Sequence, residues 1–88
     1  MSSLRDSYAQ LTNNGIPKGN ITDGTEFTVV GECRMMVSVT LGGGGAVINI
    51  DNGNGYVAEA MEEGNSIYDL KPCRIRIDIT APALVSLS

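Results

Sequence analysis

The segment that most constrains the fold is residues 27–50, in which two stretches of alternating side chains flank four consecutive glycines. The first stretch places Met35, Val37, Val39 and Leu41 on one side and Met36, Ser38 and Thr40 on the other; the second places Ala46, Ile48 and Ile50 against Val47, Asn49 and Asp51. A period of two is typical of a strand with one buried face. Because glycine adopts positive φ without a Cβ clash, the chain can reverse at residues 42–45, and we predict a β-hairpin there.

The same all-β pattern continues to the last residue. The candidate strands are residues 26–31, 34–41, 46–51, 55–60, 66–70, 73–80 and 83–88. In the clearest of them Cys73, Ile75, Ile77 and Ile79 face inward and Arg74, Arg76, Asp78 and Thr80 face water; in the last one Ala83, Val85 and Leu87 share a side. Strands spaced by about 8–12 residues with turn formers between them are typical of a sandwich or barrel. We therefore predict a small antiparallel β-sandwich of about seven short strands, jelly-roll or Ig-like, over residues 26–88.

Residues 1–25 differ from the rest and are predicted to form an N-terminal arm. Residues 3–6 resemble a helix capping box, and Leu4, Tyr8 and Leu11 follow at helical spacing, which favours one or two helical turns. The alternative is an irregular arm, because a helix this short is marginal without a surface to pack on. Residues 13–24 are dense in turn formers and indicate an extended connector.

The size of the chain limits its stability. Its 88 residues form one domain, eleven of them are glycines, and it has one Phe, three Tyr and no Trp. Small chains bury a modest share of their surface, and glycine loses more backbone freedom on folding than other residues. We therefore expect additional burial through self-association or docking on a larger surface. The alternative is a modestly stable monomer.

The charge distribution excludes some partners. The net charge is −4, and the six basic residues are scattered, whereas nucleic-acid binding calls for a basic patch. No run of eighteen apolar residues is present, so no membrane partner is expected. The first residues lack an apolar signal core, and we expect synthesis in the cytoplasm without export.

No catalytic or cofactor site is predicted. Without histidine, a Ser-His-Asp or Cys-His arrangement cannot form within the chain, and we expect that it is not an enzyme. Cys33 and Cys73 are expected to be reduced thiols, with a disulfide as the alternative if their strands are neighbours. Two cysteines are too few ligands for zinc. The glycine tract lacks the Lys of a phosphate-binding loop and is a turn.

Two polar segments have side chains of the kinds found in ligand sites. Residues 51–56 resemble a calcium loop superficially, but glycines occupy the third and fifth positions, and the Asn-Gly pairs favour a hairpin turn. A weak Ca²⁺ site using Asp51, Asn52 or Asn54 is the alternative. Glu59, Glu62 and Glu63 form the densest acidic group, which indicates a solvated loop.

The layout as a whole resembles a known class of protein. Gly-Ile-Pro at residues 15–17 and Asp-Gly-Thr-Glu-Phe at residues 23–27 lead into a β unit that closes on the strand pair of residues 70–88. This is similar to the small accessory virion proteins of tailed bacteriophages, in particular head decoration (cement) proteins; the cysteines and the Met35-Met36 pair depart from their commonest form. The resemblance implies a virion location, the major capsid protein as partner, a homo-trimer or other small ring, and contacts made by the arm and sheet edges.

The leading hypothesis is a structural virion protein that decorates or stabilises the capsid. An arm that adds a strand to a neighbour's sheet edge would satisfy unpaired backbone groups. The predicted apolar anchors of the arm are Leu4, Tyr8, Leu11, Ile16 and Ile21; the alternative is that they pack on the chain's own sandwich. Deletion of residues 1–22 is then expected to abolish particle binding and to leave the β core folded.

Two other functions are alternatives to a decoration protein. One is a carbohydrate- or receptor-binding module of a phage fibre, which needs a groove lined by Tyr56, Tyr68 and nearby Asn or Asp residues. The other is a tail or neck adaptor subunit, which copy number distinguishes from a decoration protein.

Overall fold

The computed structural model describes residues 14–88, and this part of the chain contains eight β-strands and no helix. The strands are β1 (Gly19–Ile21), β2 (Thr25–Val29), β3 (Cys33–Thr40), β4 (Gly45–Asp51), β5 (Tyr56–Ala60), β6 (Gly64–Leu70), β7 (Cys73–Thr80) and β8 (Leu84–Leu87). All seven predicted strands are confirmed as β2 to β8, with their ends shifted by at most two residues. The additional strand, β1, lies in the segment predicted as connector.

The strands form two antiparallel sheets of four strands each, which confirms the predicted β-sandwich. Sheet A has the order β1-β8-β3-β6, and sheet B has the order β2-β7-β4-β5. This is the strand order of an eight-stranded jelly roll, so the fold is the first of the two predicted alternatives. Only β4 and β5 are both consecutive and paired; every other connection between β1 and β8 passes from one sheet to the other.

The glycine tract reverses the chain, but the predicted hairpin between its flanking strands is wrong. Gly42 and Gly43 have φ values of 55° and 97°, and the Gly44 N–H donates to the Leu41 carbonyl at 2.8 Å. The flanking strands nevertheless belong to different sheets, since β3 pairs with β6 and β8 and β4 pairs with β5 and β7. Alternation shows which side of a strand is buried but not which strand lies beside it.

The hairpin turn predicted at residues 51–56 is confirmed. It joins β4 to β5, which are paired from Val47–Ala60 to Asp51–Tyr56. The Asp51 Oδ1 atom accepts the N–H groups of Gly53 at 2.7 Å and Gly55 at 3.0 Å. This carboxylate therefore organises the turn.

The core lies between the two sheets and is almost entirely aliphatic. Its largest fully buried side chains are Met35, Ile48, Ile75, Ile77, Leu87, Val29, Val37 and Val85. The inward-facing residues predicted for β3, β7 and β8 are buried or half-buried, as predicted. The alternation of apolar side chains thus places each of these strands in the sandwich with the correct face inward.

The side of the sandwich formed by β1 and β2 is closed by residues that were predicted as part of the arm. Strand β1 pairs with β8, and the Val30 N–H donates to the Asn14 carbonyl at 3.1 Å. Gly15 lies so close to β2 that a Cβ there would collide with the Thr28 carbonyl oxygen. Residues from Asn14 onward are therefore part of the sandwich.

Candidate interaction surface

The outer face of sheet A carries no charge over most of its area. The strand registers place nine uncharged residues on it, and we call this set the uncharged face: Asn20, Met36, Ser38, Thr40, Asn65, Ile67, Leu84, Ser86 and Ser88. A folded protein normally distributes charged side chains over its solvated surface. A continuous sheet face without them therefore distinguishes this surface from the rest of the molecule.

Three large apolar side chains are exposed on the uncharged face. Met36 is 54% exposed, Ile67 is 59% exposed and Leu84 is 65% exposed. Met36 and Ile67 lie directly opposite each other on β3 and β6, beside a shallow depression of about 260 Å³. Depletion of charge around exposed Met and other large side chains is typical of the centre of a protein–protein interface.

An exposed ion pair lies at one end of this face. The Arg34 Nε atom lies 3.0 Å from the Asp69 Oδ1 atom, and the two side chains are 75% and 79% exposed. A pair this exposed contributes little to stability, because water screens it. If this face forms an interface, the ion pair would lie in the polar rim of that interface.

The outer face of sheet B is charged, in contrast to sheet A. Its outward positions include Glu26, Asp51, Arg74, Arg76 and Asp78. Opposite charges adjoin one another, as with Arg76 Nε and Asp78 Oδ1 at 3.4 Å. The two outer faces therefore suit different surroundings, and sheet A has the face better suited to burial against a protein.

Asn49 is buried on the charged face, although alternation predicts the outward side for it. It is 5% exposed, and its Nδ2 atom donates to the Arg76 carbonyl and to Asp78 Oδ2, both at 3.0 Å. The Arg76 guanidinium reaches the Tyr56 ring, with 5.0 Å between Cζ and the ring centroid. Since β4 lies between β7 and β5, the Arg76 side chain crosses Asn49 and covers it. This network joins three strands through the hydrogen bonds of Asn49, the ion pair of Arg76 with Asp78 and the contact of Arg76 with the Tyr56 ring.

The side of the sandwich formed by β5 and β6 is open. Val57 and Glu59 face inward, opposite Ile50 and Ile48, yet Val57 is 71% exposed and Glu59 is exposed as well. Burial raises the pKa of the Tyr68 phenol, and the nearby Glu59 carboxylate raises it further. Glu59 on β5 and Tyr68 on β6 therefore lie near each other at this opening.

The predicted arm anchors are only partly described by the structure. Leu4, Tyr8 and Leu11, with the predicted helical turns, lie outside the described residues. Ile16 is 7% exposed and belongs to the core, and Ile21 is half-buried against it. These two side chains pack on their own sandwich, which is the alternative that the sequence leaves open for them. Apolar spacing identifies side chains that need burial, but it does not identify the surface that buries them.

The ligand groove predicted between Tyr56 and Tyr68 does not form. Tyr56 lies on the outer face of sheet B, whereas Tyr68 is paired with Met35 on the inner face of sheet A. Tyr56 does have an Asn and an Asp near it, through Arg76, in the network around Asn49. The two tyrosines therefore line no common groove.

Both cysteines are free thiols. They begin β3 and β7, with Cys73 buried in the core and Cys33 packed against it. Burial raises the pKa of the Cys73 thiol, and the neighbouring Cys33 adds to this effect. Both thiols are therefore held in an apolar region at the same end of the sandwich.

Residues 14–88 contain neither a candidate metal site nor a membrane-spanning helix. In this range no three His, Cys, Asp or Glu side chains are grouped so that they could hold a metal ion. No helix within the same range is long and apolar enough to span a membrane.

The exposed apolar residues and the burial of Asn49 were not identified from the sequence. One signal for the exposed apolar residues was available, because Met36 is a large apolar residue on the otherwise polar side of β3. No comparable signal marks Asn49, since its cover comes from Arg76, a residue 27 positions away.

Comparisons with known proteins identify no relative. No protein-family model, no curated protein and no solved structure matches this chain.

Proposed function

We propose that this chain is a structural virion protein that binds the outer surface of a tailed-phage head through its uncharged face and stabilises it. The observation that carries the proposal is the exposure of Met36, Ile67 and Leu84 on a sheet face without charge. Docking removes these side chains from water, which stabilises the complex by about 25 cal/mol for each Å² of apolar area that is buried. The resemblance to head decoration proteins supports the major capsid protein as the partner.

The size of the face indicates how such a protein would bind. The four strands of sheet A comprise 22 residues, and at about 3.3 Å along and 4.8 Å across the strands they present about 350 Å². A standard interface buries about 800 Å² per partner. One copy would therefore bind weakly through this face alone, and further contacts are needed.

Two further contacts belong to the proposal. Residues 1–13, with the remaining predicted anchors Leu4, Tyr8 and Leu11, would extend the contact to a neighbouring molecule. Self-association, which the resemblance gives as a homo-trimer, would join several weak contacts into one multivalent attachment.

The test is binding to heads of the encoding phage that were assembled without this chain. The purified protein should sediment with them, at a copy number of hundreds if it decorates the head. Leu84→Glu places a charge in the proposed interface and should weaken binding at least tenfold, since burying an unpaired charge is costly. Thr28→Glu, at an exposed position of β2 in the other sheet, is the matched control and should bind normally.

Two outcomes would contradict the proposal. Equal binding by the Leu84→Glu and Thr28→Glu variants would exclude the uncharged face as the contact. A copy number of about a dozen would favour the alternative of a tail or neck adaptor.

The network around Asn49 favours one second candidate, a carbohydrate- or receptor-binding module. Tyr56, Asp78 and Arg76 meet there on the outer face of sheet B, and lectin domains are among the proteins that use jelly rolls. Fold alone does not identify function. Binding of the isolated protein to a glycan array, lost in Asp78→Ala and retained in Leu84→Glu, would support this candidate.

A further inference from the structure

Strand β6 is a long sheet edge without cover from any other described strand. It pairs with β3 on one side, and no strand of residues 14–88 lies on its other side. The other edge on this side of the sandwich, β5, has the charged Glu59 on its inner face, a feature that discourages strand addition. Strand β6 has no charged residue between Gly64 and Tyr68. Unprotected edges of this kind are templates for pairing with another strand.

The hydrogen bonds of β3 show which backbone groups of β6 are unpaired. Met36 and Ser88 exchange two backbone hydrogen bonds, at 3.1 and 2.9 Å, so the N–H and C=O groups of Met36 point toward β8. Successive residues of a strand alternate in this direction. The groups of Met35 and Val37 therefore point toward β6, where their partners are Tyr68 and Ser66.

By the same alternation, the backbone hydrogen-bonding groups of the other β6 residues point away from β3. The N–H and C=O groups of Asn65, Ile67 and Asp69 face the free edge. The side chains of these three residues lie on the outer face of sheet A, where Ile67 is exposed and Asp69 pairs with Arg34. The free edge and the uncharged face thus share Asn65 and Ile67.

We propose that two copies of this chain pair antiparallel through β6, with the two-fold axis at Ile67. Each Ile67 then exchanges two backbone hydrogen bonds with the Ile67 of the second copy. Asn65 and Asp69 do the same with Asp69 and Asn65 of the second copy, so every free group of the edge gains a partner. The two A sheets become one sheet of eight strands.

The side chains favour this register. Met36 and Ile67 of both copies form a continuous apolar row across the axis, because Met36 lies opposite Ile67 within each copy. Each Asn65 amide lies opposite an Asp69 carboxylate, to which it can donate. An axis at Asp69 would place two like charges opposite each other, which destabilises a strand pair. An axis at Asn65 would place the apolar Ile67 side chain opposite the charged Glu63 side chain, which is also unfavourable.

The pairing does not depend on the proposed function, and it is a different grouping from the trimer that the resemblance implies. It also doubles the continuous area of the uncharged face. From about 350 Å² per copy, the pair presents about 700 Å² on one surface. A pair therefore comes close to the roughly 800 Å² per partner that a standard interface buries.

Amide hydrogen exchange, measured by NMR from micromolar to millimolar protein, tests the pairing directly. The amides of Asn65, Ile67 and Asp69 should become protected as concentration rises, in step with dimer formation by sedimentation equilibrium. The amides of Ser66 and Tyr68 are bonded to β3 and should be protected at every concentration. Protection of Ile67 in a sample that sediments as a monomer would mean that the edge is covered within one copy, for example by residues 1–13, and would overturn the proposal. A protein that stays monomeric at millimolar concentration would overturn it too.

Substitutions on β6 test the register. Ile67→Pro removes an N–H that points to the free edge, where proline is tolerated, and should abolish the dimer while leaving the fold intact by circular dichroism. Asn65→Asp should weaken the dimer roughly 2- to 30-fold, because it creates two like-charge pairs with Asp69. Asn65→Lys, at the same exposed site, should not weaken it. If Asn65→Asp and Asn65→Lys have the same effect, the register is wrong.

The two proposals fail in different ways. Dimerisation is measured without phage heads, and head binding is scored with Leu84→Glu, which lies on β8 away from the free edge. A monomer that still binds heads through the uncharged face would overturn only the pairing. A dimer that does not bind heads would overturn only the proposed function.

Discussion

At the scale of single residues, the open side of the sandwich changes the chemistry of Tyr68. Its side chain faces inward on β6, and burial raises the pKa of its phenol above the ordinary value of 10.0, with a further rise caused by Glu59. The folded state therefore favours the neutral phenol. The contribution to stability is complete below pH 10 and is lost as the pH rises through the higher pKa of the folded state.

We predict that Glu59→Gln lowers the pKa of Tyr68 only in part, because burial is the larger cause. NMR titration with ring-labelled tyrosine measures the midpoint of Tyr68 separately from those of Tyr8 and Tyr56. Glu62→Gln removes an equal charge from the following loop and should leave this midpoint where it is. A midpoint that does not change in Glu59→Gln would show that Glu59 and Tyr68 are not neighbours.

Asn49 shows how a residue can keep its predicted side of a strand and still be buried. Alternation correctly places it away from the core, opposite in direction to Ile48 and Ile50. Its burial comes from Arg76, whose apolar stem can lie along a surface while its charged end reaches Tyr56. The hydrogen bonds to Arg76 and Asp78 offset the cost of that burial, because a buried amide without partners would be destabilising.

At the scale of structural elements, the turn of residues 41–44 has two kinds of glycine. Gly42 and Gly43 have positive φ, which favours glycine for conformational reasons. Gly44 is required for space instead, since a Cβ there would collide with the Thr80 carbonyl oxygen and lie 2.8 Å from the Ala83 nitrogen. This close approach holds the turn against the connection between β7 and β8.

We predict that Gly44→Ala destabilises the protein by about 1–3 kcal/mol, as overpacking of a close contact does. Gly45→Ala is the matched control, because a Cβ at Gly45 has no atom within 4 Å. The control should change stability by less than about 1 kcal/mol. Urea unfolding of both variants gives the comparison, and similar losses would argue against the close contact at Gly44.

At the scale of the whole molecule, the sandwich extends further toward the N-terminus than the sequence predicts. Ile16 is in the core and β1 pairs with β8, so both contribute to the fold. The expectation that the β core stays folded without residues 1–22 is therefore revised to a loss of stability. That deletion removes a buried side chain and an edge strand of sheet A.

We predict that deletion of residues 1–22 lowers the free energy of unfolding by at least about 3 kcal/mol, because Ile16→Ala alone should cost about 2–5 kcal/mol. For a domain of this size, that is a large part of the total stability. Deletion of residues 1–13 keeps every described contact and is the control. Thermal unfolding followed by circular dichroism gives the comparison; a truncated chain that lacks residues 1–22 and melts like the control would contradict the role of Ile16.

The sequence by itself determined the all-β class, the positions of seven strands and the apolar faces of β3, β4, β7 and β8. These follow from a period of two, which is a property of the strand's own backbone. Only the tertiary structure decided that β3 and β4 lie in different sheets, that Ile16 belongs to the core, and that Met36 and Ile67 lie side by side on an uncharged face. The physical reason is that pairing and cover come from residues distant in the chain, whose positions a local pattern does not contain.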